Sequence, residues 1–116
     1  HINDRYQIIK AVGKATIISF VKYLRAMNVD IFVVHDRDQG KSGAEIMNQP
    51  ILDAVRDATK ILMMQECIED ELGYPAPSQD KPFTAYEYVK DWVTWNDVPD
   101  NWKDKMKAIF ADIEGL

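Results

Sequence analysis

The apolar run IFVV at positions 31–34, followed at once by His35, Asp36, Arg37 and Asp38, constrains this chain more than any other feature. Four consecutive β-branched or aromatic residues leave no polar face. A strand built from them must be covered on both sides, which is the situation of a parallel strand in an α/β sheet. The strand expected over residues 29–35 therefore ends in acids, and the polar stretch 36–43 after it carries Gly40 and Gly43.

Around this strand the hydrophobic period alternates. Residues 6–12 (YQIIKAV) are rich in strand formers and stop at Gly13. Over 15–27, Ile17, Ile18, Phe20, Val21 and Leu24 recur at helical spacing, and Asn28 suits the end of that helix. Residues 44–58 read as a helix with a break around Pro50, where a second helix can start, and 60–64 (KILMM) as a third strand. A short helix is expected over 68–72, stopped by Gly73 and Pro75, then a loop over 74–81 and a helix over 82–92 opening on Pro82. A turn at 97–100 and an amphipathic helix over 102–113 complete the chain.

A length of 116 residues makes one domain, with a β-α-β-α-β core over 6–65 and a helical part over 66–116. Strands alternating with helices imply an α/β fold, a parallel sheet flanked by helices. In such sheets ligands bind beyond the carboxyl ends of the strands. That rule selects Gly13-Lys14, Asp36-Arg37-Asp38 and the segment 65–69.

Composition narrows the function classes. A net charge of −5 argues against a basic coat that neutralises nucleic-acid phosphates, but not against a site where carboxylates hold metal ions and the metals face the phosphate. No apolar run approaches the roughly 18 residues that span a bilayer, and the start of the chain is polar, so no membrane partner is expected. The single cysteine, Cys67, leaves no disulfide framework and no cysteine-rich zinc site, which agrees with a cytoplasmic location.

Asp36 and Asp38 are hard oxygen donors one residue apart at a strand end, the donor type that suits Mg2+ or Mn2+. The plain alternative is a capping Asp36 and a solvated Asp38. In the acidic cluster after the third strand, Glu69 is the candidate ligand, and Glu66, Asp70 and Glu71 are expected to form a solvated helix face. Lys81 stands before Pro82 at a helix start, where a cation opposes the helix dipole. Local rules tend to be broken at sites, and a cation there would serve a phosphate or a leaving oxygen. The alternative is a surface pair with Asp80. Lys14 and Arg37 are candidate phosphate contacts, against the plainer reading of Lys14 as a solvated first-turn lysine. His35 is expected to pack at the strand end, and Ser19 and Ser42 have no evident general base. Tyr86, Trp92, Trp95, Trp102 and Phe110 read as core or interdomain packing.

The ordered pieces IIKAVGKATI, FVVHDRD, CIEDELG and DKPFTAYEYVK together resemble the Toprim domain of the OLD-family ATP-dependent endonucleases, over roughly residues 6–93. The strand ending in D-x-D is common to Toprim proteins, and the Lys-Pro pair opening a helix points to the OLD branch. The resemblance implies a Toprim-like (Rossmann-like) sheet with extra C-terminal helices. It implies DNA cleavage supported by two divalent ions, Mg2+ or Mn2+. Asp36, Asp38 and Glu69 would be metal ligands, and Lys81 would stabilise the transition state. Cys67 stands where the family often has a small polar residue.

The pattern departs at the N-terminal side. The first Toprim strand and its E-G-x-x-E glutamate motif do not precede residue 6, and the family's ATPase domain, through which ATP would act, is also not in this sequence. The resemblance thus implies the C-terminal part of a longer protein, inactive and weak in metal binding when isolated. Partners implied are DNA, the N-terminal ATPase domain and a second copy in a dimer or larger assembly. Some family members act in antiphage defence, beside a helicase-like partner. Two rival readings stand next to it: a glycosyltransferase fragment whose D-x-D holds Mn2+ and a nucleotide diphosphate, and a non-catalytic interaction or oligomerisation domain.

Overall fold

The computed structural model describes residues 5–111. It is a mixed α/β arrangement, mostly helical, around a two-stranded parallel sheet. In chain order the elements are α1 (Lys14–Ala26), β1 (Val33–Asp36), α2 (Ser42–Glu45), α3 (Asn48–Val55), β2 (Ile61–Met64), α4 (Ile68–Leu72), α5 (Lys81–Val89) and α6 (Asp100–Ile109). Single 3-10 turns lie at Ala58–Lys60 and Trp95–Asp97.

Strand β1 pairs with β2 in the register Val33↔Ile61, Val34↔Leu62, His35↔Met63 and Asp36↔Met64. The ladder runs one residue further, since the Arg37 amide donates to the Met64 carbonyl at 3.0 Å. Parallel pairing requires a crossover between the strands, and α2 with α3 supplies it. The core is buried between α1, α3 and the sheet: Val21, Val33, Ile51, Ala54 and Val55, with Ile17, Ile18, Ile31 and Ile61 packed against them.

Helix ends follow from local chemistry. After α1, Asn28 adopts a left-handed conformation (φ 58°), which Asn tolerates better than most residues. Gly73 ends α4 at φ 93°, and its amide and that of Tyr74 donate to the Glu69 carbonyl at 3.0 and 3.1 Å. A second helix does start near Pro50, which is the third residue of α3, within the first turn, where its missing N–H has no partner to lose. The break falls earlier, between α2 and α3.

The expected first strand is corrected. Residues 6–12 form no strand, and Ile8 and Val12 are 86% and 82% exposed. A strand-like composition is only a preference for a half-buried pleated surface, and here no neighbouring strand offers one. Strand β1 covers only the second half of the expected run 29–35, because residues 29–32 lie outside the ladder, and it extends to Asp36. Helix α6 begins two residues before the expected 102, and positions 112–113 of that expected range lie outside the described residues.

Ile51 has no exposed surface and sits at the centre of the α1–α3 contact. Ile51→Ala should destabilise the chain by about 2–5 kcal/mol, read as a lower midpoint in urea denaturation with an unchanged slope.

Candidate metal and phosphate site

Asp36 closes β1, and Met64 opposite it closes β2, so the chain leaves both strands at one edge of the sheet. After β1 the chain turns: Asp38 takes φ 57°, Gly40 takes φ 81°, and the Lys41 amide donates to the Asp38 carbonyl at 3.0 Å. After β2 the chain passes Cys67 and enters α4, whose second residue is Glu69. The N-terminus of α1 stands at the same edge, with Gly13 at φ 89° turning the chain into the helix. A cleft of about 320 Å³ opens between Gly13, Lys14, Val34, Asp36, Asp38 and Ile68.

Lys14 is not the solvated first-turn residue of the plain reading, since its side chain is only 10% exposed. Its ammonium lies 2.8 Å from Asp38 Oδ2 and donates to Asn48 Oδ1 at 2.7 Å, to the Ala44 carbonyl at 3.3 Å and to the Arg37 carbonyl at 3.4 Å. Asn48, the first residue of α3, also donates from Nδ2 to the Arg37 carbonyl at 2.9 Å. Arg37 thus enters this cluster through its backbone oxygen. The second oxygen of Asp38, Oδ1, lies 3.6 Å from the exposed ammonium of Lys41.

Electrostatics separate the two aspartates. The Lys14 hydrogen bond holds the Asp38 carboxyl below its ordinary range, against some desolvation. Burial pushes Asp36 upward first, and the negative charges of Asp38 and Glu69 push it further, over the opposing pull of Lys14 and Lys41. Asp36 therefore feels both other carboxylates of the expected ligand set.

Glu69 is 6% exposed, and Lys81 Nζ, from the first residue of α5, lies 3.9 Å from its Oε1. Burial, then the neighbouring Glu69, pushes the Cys67 thiol up, and burial followed by the Glu69 charge raises Tyr74. Glu66 and Asp70 are exposed as expected, but Glu71 is not a solvated residue. Its Oε2 pairs with Lys105 Nζ at 2.9 Å, its Oε1 accepts the Gln65 amide at 3.3 Å, and its carboxyl is held below the usual range by Lys105. His35 is buried at 8% exposure, and its Nδ1 lies 2.8 Å from the Asp36 carbonyl oxygen.

The carboxylate oxygens at this edge are of the donor type that hard divalent cations take. Among the described residues no three His, Cys, Asp or Glu side chains converge into a closed ligand set. Asp36, Asp38 and Glu69 share the site without forming one. Asn48 is the residue that sequence reasoning missed; nothing in the spacing of NQP at a helix start marks it, and only the crossover brings it beside Lys14. Of the expected aromatic packing, Phe110 is buried and meets Tyr6 edge-on at 4.9 Å, and Trp92 meets Tyr88 at 5.8 Å. Tyr86 and Trp95 are exposed.

No family model, curated protein or solved structure matches the chain. Among the described residues no helix is long and apolar enough to cross a membrane.

Because the Asp36 carboxyl is raised above its ordinary range in the fold, by burial first, the folded chain holds its proton more tightly than the unfolded chain does. The stability it contributes is present at low pH and lost as pH rises through the folded-state pKa. Asp36→Asn should therefore stabilise the chain at pH 7, and the gain should vanish by pH 3, as compared by urea denaturation at the two pH values.

Proposed function

We propose that this chain is the acidic half of a Toprim-like phosphodiester-cleaving domain, working on DNA as the C-terminal part of an OLD-type ATP-dependent nuclease. One observation carries the reading. Asp36, Asp38, Glu69 and Lys81 come from three separate motifs, yet they gather at one edge of a parallel sheet, where Asp36 feels both other carboxylates and Lys81 reaches Glu69 at 3.9 Å.

In this reading Asp36, Asp38 and Glu69 hold the divalent ions, Mg2+ or Mn2+ and two in number. Bound ions would supply positive charge to the attacking and leaving oxygens of an in-line displacement. The chain's own residues do the rest. Asp36 is desolvated and crowded by like charge, so it gains most from a cation. Lys81 is 60% exposed and tethered only by a long contact, so it is free to swing from Glu69 to a phosphate oxygen. The remaining ligand, the ATPase domain and the second copy come from the rest of the assembly, and a cytoplasmic location and a role in antiphage defence belong to the same proposal.

A second reading has its own support. Phe83, Tyr86 and Val93 are 63%, 60% and 86% exposed along and beyond α5, an apolar surface suited to an interaction module. On that reading the acids are bystanders.

Plasmid cleavage by the parent protein with Mg2+ or Mn2+ separates the two. Asp36→Ala and Lys81→Ala should each lower the cleavage rate by about 10²-fold or more. Unchanged cutting in both variants would put the chemistry elsewhere, and no cutting by wild type across metals and nucleotides would favour the interaction module.

A further inference from the structure

Lys14 has three N–H donors, and four protein oxygens from Asp38, Asn48, Ala44 and Arg37 lie within 3.4 Å of its nitrogen. Every donor has an acceptor inside the fold, so this ammonium has none to spare for a ligand phosphate. Asn48 is fixed at both ends of its amide: Oδ1 accepts from Lys14, and Nδ2 donates to Arg37. Asn48 touches neither carboxylate of the cleft by any such bond. Its effect must pass through Lys14 and the Arg37 peptide. What they hold is Asp38, a non-glycine residue in the left-handed region at φ 57°.

We propose that Lys14 and Asn48 are positioning residues of the carboxylate site: Asn48 fixes the Lys14 ammonium, which holds the Arg37–Asp38 turn and occupies one Asp38 oxygen, so that Asp38 offers only Oδ1 to a divalent cation. The only ammonium near Oδ1 among the described residues is that of Lys41, 76% exposed and 3.6 Å away, which an arriving cation displaces. The proposal deepens the nuclease reading and rests on it for the cation.

The test uses the parent protein that carries this chain and Mn2+ alone, with free ion counted by electron paramagnetic resonance. Asn48→Leu changes no charge and removes no carboxylate, yet it should weaken Mn2+ binding about 10–100-fold. Lys14→Met should weaken it too, although one positive charge is gone; a lysine that merely competed with the ion would give tighter binding on removal. Lys41→Ala should tighten it. Thermal unfolding is followed in parallel, because a purely structural role lowers the melting temperature and leaves the affinity of the folded fraction unchanged. Unchanged or tighter binding in Asn48→Leu overturns the proposal.

A second readout needs no metal. The caged Lys14 ammonium should give an exchange-protected 15N resonance in wild type that Asn48→Leu abolishes. Absence of that resonance in wild type overturns the positioning role and leaves the nuclease reading standing. An intact resonance with no Mn2+ binding overturns the metal reading, and the positioning role with it.

Discussion

The parallel pairing of β1 with β2 is the constraint on which the site depends. Antiparallel strands joined by a tight turn would send Asp36 and Met64 to opposite edges of the sheet. Parallel strands send both chain continuations to the same edge, and they require a crossover to do so. The crossover here contains α3, and α3 does two things. Its apolar face, with Ile51, Ala54 and Val55, closes the core against Val21 of α1. Its first residue, Asn48, reaches the Arg37 carbonyl and the Lys14 ammonium. The burial that stabilises the fold and the polar contacts that shape the cleft are thus set by one helix.

Charge at this edge is arranged in layers. Beneath the cleft, the largely buried Lys14 ammonium is paired with Asp38. Within it lies Asp36, partly desolvated, and the charge of the buried Glu69 bears on it. At its rim, Lys41 and Lys81 are exposed and held by contacts of 3.6 and 3.9 Å. Exposed pairs at such distances contribute little to stability, typically below about 1 kcal/mol. They break readily when a ligand arrives, which is the property a binding edge needs. The one strongly anchored ammonium is the one that faces inward.

How much of this is legible in the residues differs by scale. Strand β1 is readable from the apolar run that leads into it, and it ends at Asp36, where the acids begin; the expected cover on both faces is not found, since Val34 is 42% exposed. The helix stops at Asn28 and Gly73 are readable because left-handed backbone favours few residue types. Residues 6–12 mislead, because strand formers do not create a strand without a neighbour to pair with, and no other described segment pairs with them. Lys14 stands at the expected edge but with a different partner: a lysine at a helix start says nothing about which oxygens a distant crossover will bring to it. Asn48 is invisible for the same reason, being 34 positions from the ammonium it orients. Glu71 looks like one more solvated acid, since its cation, Lys105, lies in another helix.

That last pair has a consequence for how the sequence can vary. Helix α6 is joined to α4 by the Lys105–Glu71 ion pair and by the Asn101 amide on the Glu71 carbonyl, and the Glu71 side chain is only 11% exposed. Replacing Lys105 alone strands a carboxylate with little access to water, while replacing Glu71 alone strands the ammonium, 21% exposed. Each single change meets a barrier that the double change avoids. Drift at these two positions is therefore expected to be concerted: sequences of the same lineage should keep the charge pair, invert it, or lose both members together, with intermediates rare. Glu69, two positions earlier in α4, points away from Glu71 and meets Lys81 of α5 instead.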